Sequence, residues 1–229
     1  MCEMLVAVAP APFRLVQLWP LAKRLERHGI AGYGWGVAWV QPFGGLGRHL
    51  DVRAFCDDPA AASIGGVETR AALVHLRRPS RLTTLGLADT QPFLDGAGRF
   101  AFGHNGDFTA YRERRRQYRS EGRIAGRADS EVGLRWLEDA WTGADRGLVL
   151  GRLHAELGGN ANLMVLGADG AALAYSGNRE NPVFRYQLGT IAVASTGIHS
   201  LDRSLFRYVA RDAATRRLVR YRTTETLPA

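Results

Sequence analysis

Cys2 follows Met1 directly and heads an apolar run, Glu3-Met4-Leu5-Val6-Ala7-Val8-Ala9. Removal of Met1, which a residue as small as Cys permits, would leave a thiol and a free α-amine on one residue. That pair is a self-contained nucleophile and base. The amine takes the thiol proton, directly or through one water, and later passes it to a leaving group. An α-amine titrates at about 7.7–8.0, which suits the task near neutrality. Taken alone, a Met-Cys opening is most simply a chance cysteine, so its meaning depends on what the rest of the chain supplies.

Three other stretches carry residue types that complement such a nucleophile. His104-Asn105-Gly106 stands at an expected strand-to-turn junction. There the Asn105 carboxamide and the Gly106 backbone N–H could converge on one spot and hold an oxyanion; the plain alternative is an Asn-Gly turn. His75-x-Arg77 closes a buried strand. An arginine at a strand end can grip a carboxylate with two parallel bonds, or form an ordinary surface ion pair. Asp129 opens a helix, where it caps the first turn or receives a substrate ammonium. His75 and His104 are flanked by apolar strand residues and read as hydrogen-bonded structural groups rather than bases.

The elements that position these residues follow from hydrophobic patterning. After the first strand, Pro10-Ala11-Pro12 predicts a loop, and Leu15, Leu18, Ala22 and Leu25 predict an amphipathic helix stopped by Gly29. The glycines at 32, 34 and 36 alternate through residues 29–40 and run on into Val37-Ala38-Trp39-Val40. That is a strand that lets something approach its backbone closely, not a phosphate loop, which needs a helix to follow. Strands are expected at residues 48–55, 68–76, 99–102, 161–166, 171–175 and 190–194, with an Asp169-Gly170 hairpin turn. Helices are expected at residues 109–119, from 129 onward, and at 147–157. Strands at both ends with helices grouped between them indicate antiparallel sheets covered by helices, an α+β layered fold.

Composition narrows the classes further. The 229 residues are 46% hydrophobic and 23% charged, ordinary globular values suited to one large domain or two small ones. The apolar runs fall short of the roughly 20 residues of a membrane span. Cys2 and Cys56 are the only cysteines, which argues against a disulfide framework or a structural zinc and fits a reducing cytoplasm. The net charge is +8, and of 30 basic residues only Lys23 is not arginine. The densest cluster, residues 111–119, reads first as a solvated helix face and then as a contact for an acidic partner. No nucleic-acid motif accompanies it.

Together, a thiol nucleophile, an arginine for a carboxylate, an Asn-Gly oxyanion hole and an aspartate for an ammonium describe a site for glutamine. The order of Met1-Cys2, Gly34-Trp35-Gly36, His75-Leu76-Arg77, Gln91-Pro92-Phe93, Gly103-His104-Asn105-Gly106 and Asp129-Ser130-Glu131 resembles the class II glutamine amidotransferases, within the amino-terminal-nucleophile hydrolases. The resemblance implies a four-layer αββα sandwich of two antiparallel sheets, as one amidotransferase domain over residues 1–229. It implies Cys2 as nucleophile with its own α-amine as base, and Asn105 and Gly106 as the oxyanion hole. Arg77 would take the substrate's α-carboxylate and Asp129 its α-amine, with His104 beside them in the substrate site. No metal or organic cofactor is implied. Two positions depart from the pattern: Glu3 stands where many members have Gly, and Arg78 where larger members have Trp, which implies a different cover over the substrate. The chain is similar to short standalone members. Some of these release ammonia from glutamine for a separate synthase subunit; others hydrolyse γ-glutamyl compounds, as in ergothioneine biosynthesis. A non-catalytic subunit that keeps the fold is the reading from a different class. A retained Met1 would mask the amine and leave an immature form.

Overall fold

The computed structural model describes residues 2–29, 31–141, 146–198 and 204–228. The first strand, β1 (Glu3–Arg14), lies at the centre of the molecule. Its near-continuous apolar sequence follows from burial on both faces. Leu5, Ala7 and Ala9 belong to one core and Met4, Val6 and Val8 to another, as the two-residue repeat of a strand requires. Pro10-Ala11-Pro12 does not leave the strand as the expected loop. The pairing register shifts between Val8 and Phe13, so the prolines, which cannot donate to a ladder, sit in an irregularity within β1.

After a short 3-10 turn, α1 (Trp19–Gly29) carries the amphipathic pattern, and β2 (Trp35–Val40) and β3 (Leu46–Asp51) form a hairpin. The chain continues through α2 (Ala60–Ile64), β4 (Glu68–Leu76), the two-residue β5 (Phe93–Leu94) and β6 (Phe100–Asp107). Three helices follow: α3 (Arg112–Ser120), α4 (Asp129–Ala140) and α5 (Arg146–Leu157). The last part is β7 (Asn160–Gly167), β8 (Ala172–Ser176), β9 (Val183–Leu188), β10 (Ile191–Thr196), α6 (Leu205–Val209), β11 (Ala214–Leu218) and β12 (Thr223–Leu227).

The strands form two antiparallel sheets, ordered β11-β9-β10-β1-β4-β2-β3 and β12-β8-β7-β6-β5. The seven-stranded sheet buries its outer face against α1 and α6, with Leu21, Leu25, Phe206 and Val209 in that core. The five-stranded sheet buries its outer face against α4 and α5 through Phe100, Phe102, Leu163, Val132, Leu137 and Leu153. Between the sheets lies a layer dominated by small side chains, among them Ala38, Ala71, Ala101, Ala174 and Ala194, with Met4 and Met164 filling the gaps. The result is the four-layer αββα sandwich. No helix among the described residues is long and apolar enough to cross a membrane.

One expectation is corrected at the position that matters most. His104-Asn105-Gly106 is not a turn: β6 runs straight through it, paired with β7 from Phe100↔Gly167 to Asp107↔Asn160. Local Asn-Gly turn propensity gives way to eight residues of continuous ladder. Gly106 adopts φ +132 within that ladder, and a Cβ there would overlap the Asn160 carbonyl oxygen, so only glycine fits.

Candidate active site

The antiparallel pairing Glu3↔Leu76 brings the start of β1 to the end of β4. One step further on, the Arg78 backbone N–H donates to the Cys2 Sγ at 3.3 Å, and the thiol lies 3.6 Å from the Arg78 carbonyl. The last residues of β6 and the first turn of α4 arrive at the same place from the other sheet. A cavity of about 220 Å³ opens there, lined by Cys2, Arg77, His104, Gly106, Asp129 and Ser130 among others. Five of the six residues singled out in the sequence therefore border one space. Asn105, the sixth, lies buried behind Cys2.

Arg77 is 3% exposed, the side chain least expected at that depth. Its Nη2 donates to the Thr84 carbonyl at 2.5 Å and the Thr84 hydroxyl at 3.0 Å, while Nη1 is buried with no partner among the described residues. Burial lowers its pKa, which an incoming anion would reverse. Its strand-end backbone is fixed by a 2.8 Å bond to the Gly34 carbonyl, so the glycine-rich approach to β2 serves the arginine. Burial pushes the Cys2 thiol up from its ordinary value, offset in part by the Arg78 N–H and the Arg77 charge. The thiol therefore needs a base to act near neutrality.

The Asn105 carboxamide donates through Nδ2 to the carbonyl of Cys2 itself. Its Oδ1 accepts from Asn162 Nδ2 at 3.3 Å. Asn162, fully buried on β7, also donates to the Asn181 carbonyl at 2.6 Å and accepts from the N–H groups of Gly177 and Asn178, each at 3.1 Å. Asn181 Nδ2 in turn reaches the Glu3 carboxylate at 3.2 and 3.3 Å, and Thr196 Oγ1 donates to Glu3 at 2.5 Å. Glu3 is fully buried and forms no ion pair among the described residues, and burial raises its pKa to about 7. Its seat exists because Gly29, at the end of α1, leaves room where a Cβ would meet the Glu3 side chain.

Asp129 does not cap its own helix. Its Oδ2 accepts the Phe108 N–H at 2.7 Å, tying α4 to the end of β6. The segment ahead of it is held from both sides. Asp89 accepts the N–H groups of Arg127 and Ala128 at 2.6 and 2.7 Å, and Arg115 donates to the carbonyls of Gly126, Arg127 and Ala128. The arginine-rich helix thus carries part of its charge inward, while Arg114 pairs with Glu156 on the surface. His104 and His75 behave as structural groups. The His104 Nδ1 meets Ser130 Oγ at 2.9 Å, its ring stacks on Phe108 at 4.1 Å, and burial lowers its pKa. The His104 Nε2 is buried with no partner among the described residues, and the residue borders the cavity. His75 donates Nε2–H to the His104 carbonyl at 3.2 Å, and burial brings its pKa down to about 3, so it is neutral.

Asp89, Arg115, Asn162 and Asn181 were not singled out from the sequence. Asn162 had a signal: in Asn160-Ala161-Asn162-Leu163-Met164 it shares the inward stripe of β7 with Met164, and a polar residue on an apolar stripe calls for a partner. One metal-type cluster occurs among the described residues, His49, Asp51 and Asp58. Its carboxylates are already engaged by Arg53, Trp35 and His49, so it is an ion-pair network rather than a vacant site.

A model of the class II glutamine amidotransferases matches residues 1–186 of this chain. The chain belongs to that family. No curated protein matches this amidotransferase significantly. Among solved structures it is similar to the glutamine phosphoribosylpyrophosphate amidotransferase of B. subtilis, with TM-score 0.72 at 14% identity over 98% of this chain. It is likewise similar to a structure described as the allosteric regulatory enzyme of purine biosynthesis, with TM-score 0.73 at 15% identity over 98% of this chain. This amidotransferase spans 48% of each of those two chains. A glutamine aminotransferase class-II domain protein from Silicibacter pomeroyi aligns over 99% of this chain and 95% of its own, with TM-score 0.65 and 18% identity. At such identities the likeness concerns the fold.

Proposed function

We propose that the whole of residues 1–229 is one amidotransferase domain whose Cys2, once the residue ahead of it is removed, hydrolyses the side-chain amide of glutamine. The freed α-amine takes the thiol proton. The thiolate then attacks the amide carbon, and the negative charge that develops on its oxygen is met by the Gly106 N–H and the Asn105 carboxamide. The α-ammonium returns the proton to the amide nitrogen, ammonia leaves, and a γ-glutamyl thioester remains. Water cleaves the thioester to glutamate and restores the thiol. Arg77 binds the α-carboxylate and Asp129 the α-ammonium, with His104 packed beside them. No cofactor takes part. The ammonia passes to a separate synthase subunit, in the cytoplasm.

The observation that carries this reading is Arg77. A buried guanidinium with one nitrogen unpartnered, in the same cavity as a thiol and an aspartate, asks for a ligand with a carboxylate at one end and an ammonium nearby. A second reading, hydrolysis of a γ-glutamyl metabolite, draws on the rim. Arg78, Arg81 and Arg127 are exposed at the cavity mouth, and none forms an ion pair among the described residues. Such a rim suits a leaving amine that carries its own acidic group.

The test is intact-mass spectrometry of a chain beginning at Cys2, before and after a diazoketone analogue of glutamine. One adduct mapped to Cys2 is expected, absent in Cys2→Ala; processed protein that takes none refutes the nucleophile. Offering glutamine and a γ-glutamyl conjugate side by side separates the two readings. Rapid cleavage of the conjugate with glutamine ignored would remove the ammonia-donor version.

A further inference from the structure

We infer that Asn162 is a positioning residue for the reaction, fixing the orientation of the Asn105 carboxamide so that its N–H side faces Cys2. The inference rests on the reading of Asn105 as an oxyanion donor.

A carboxamide has two nearly isosteric ends, and rotation by half a turn exchanges a donor for an acceptor. For Asn105 the difference is decisive, because only the Nδ2 end can stabilise an oxyanion. Its Nδ2 donates to the Cys2 carbonyl, and the second N–H of the same nitrogen is the donor that the oxyanion reading assigns to the developing charge. What keeps Oδ1 on the far side is Asn162 Nδ2, at 3.3 Å. A donor there favours Oδ1 and would clash electrostatically with Nδ2.

Asn162 can enforce that choice because its own two ends are fixed by backbone. Its Oδ1 accepts two N–H groups, from Gly177 and Asn178, and its Nδ2 donates to the Asn181 carbonyl as well as to Asn105. Backbone donors and acceptors cannot exchange, so the orientation of Asn162 is determined, and through it that of Asn105. Both side chains are fully buried, where an inverted pair would leave hydrogen-bonding groups unmatched. The segment that orients Asn162 also holds the nucleophile strand, since Asn181 Nδ2 binds the Glu3 carboxylate. A closed path therefore runs from Cys2 through Asn105, Asn162 and Asn181 back to Glu3. It sets the nucleophile and the oxyanion donor against one another without touching substrate.

The experiment is a double-mutant cycle on the chain beginning at Cys2, with kcat and KM for glutamine hydrolysis and thermal melting of every variant. Asn105→Ala is expected to lower kcat by about 100- to 1,000-fold. Asn162→Ala is expected to lower kcat by about 10- to 100-fold with KM changed less than about threefold. Asn162→Asp, which keeps both acceptor bonds but removes the donor toward Asn105, should lose at least as much. In the Asn105→Ala background, either change at Asn162 should cost no more than about twofold further, because its route to the chemistry is gone. Asn162→Ala with kcat within about threefold of wild type overturns the inference. So does a loss of kcat that is the same in both backgrounds, and so does failure of both Asn162 variants to fold, which assigns the residue to the fold alone. If Asn105→Ala is fully active, the oxyanion reading beneath the inference fails instead, and an inactive wild-type chain refutes the proposed function itself.

Discussion

Replacing Glu3 by Gln should stabilise the protein in alkaline solution and leave it nearly unchanged in acid. In the folded chain the Glu3 carboxyl titrates near 7 instead of 4.5, chiefly because burial disfavours its charged form. The folded state thus holds this proton more tightly than the unfolded state does. The stability it contributes is fully present below about pH 4.5, fades as the pH climbs toward 7, and is absent above that. Raising the pKa from 4.5 to about 7 at about 1.36 kcal/mol per unit makes the penalty roughly 3 kcal/mol at pH 8. A glutamine carries no such penalty. It still accepts from Thr196 Oγ1, and once the Asn181 carboxamide turns over, its amide donates to Asn181 Oδ1, which has no partner among the described residues. For a chain of this size the gain corresponds to about 6–12 °C in Tm. The assay is calorimetric melting of both proteins at pH 4.5, 6, 7 and 8. Taking the difference between them cancels every other titration. A gap that is constant across the series, or that widens toward acid, would refute the argument.

Three further outcomes follow from the same geometry. Arg77→Ala should raise KM for glutamine by about 10- to 100-fold, the equivalent of one charge-assisted bond. It should leave turnover of γ-aminobutyramide, which lacks the carboxylate, unchanged, so equal damage to both substrates would show that Arg77 holds the fold instead. Arg115→Ala should raise KM several-fold by releasing the 126–128 backbone ahead of Asp129. Arg114→Ala, which breaks an exposed pair with Glu156 worth about 0–1 kcal/mol and an exposed bond to Gln117, should match wild type in the same steady-state assay. Gly106→Ala should lower Tm as well as kcat, because the new Cβ meets the Asn160 carbonyl at a positive φ. An alanine variant with wild-type Tm would show that β6 and β7 separate there at little cost.

The residues proposed to meet substrate stood out in the sequence because their types are chemically unusual for their settings. A cysteine behind the initiator, an arginine closing an apolar strand and an aspartate opening a helix each stand out locally. The residues that hold them in place did not, since nothing local marks Asp89 as the acceptor for Arg127 and Ala128 or Arg115 as the donor beside it. Those partners are 11 to 39 positions away, and only the packing of β6 on α4 brings them together. Asn-Gly misled for the opposite reason: its turn propensity is local, and the ladder with β7 that overrides it is not. At the sheet edges, β11 escaped notice because all five of its residues are exposed and Arg-rich, so no burial pattern is written into it.

The placement of β1 has a bearing on how the Cys2 end of the chain moves. Chain termini ordinarily fray, opening at almost no free-energy cost. Here Cys2 leads directly into Glu3, Met4 and Leu5, which are buried in a polar network and in two separate cores, with a neighbouring strand hydrogen-bonded on each side. Releasing Cys2 from its place therefore requires disrupting both faces of the seven-stranded sheet at once. Amide hydrogen exchange along residues 4–8 should accordingly be among the slowest in the molecule and should track global unfolding. The end of the polypeptide that carries Cys2 belongs to its most cooperative unit.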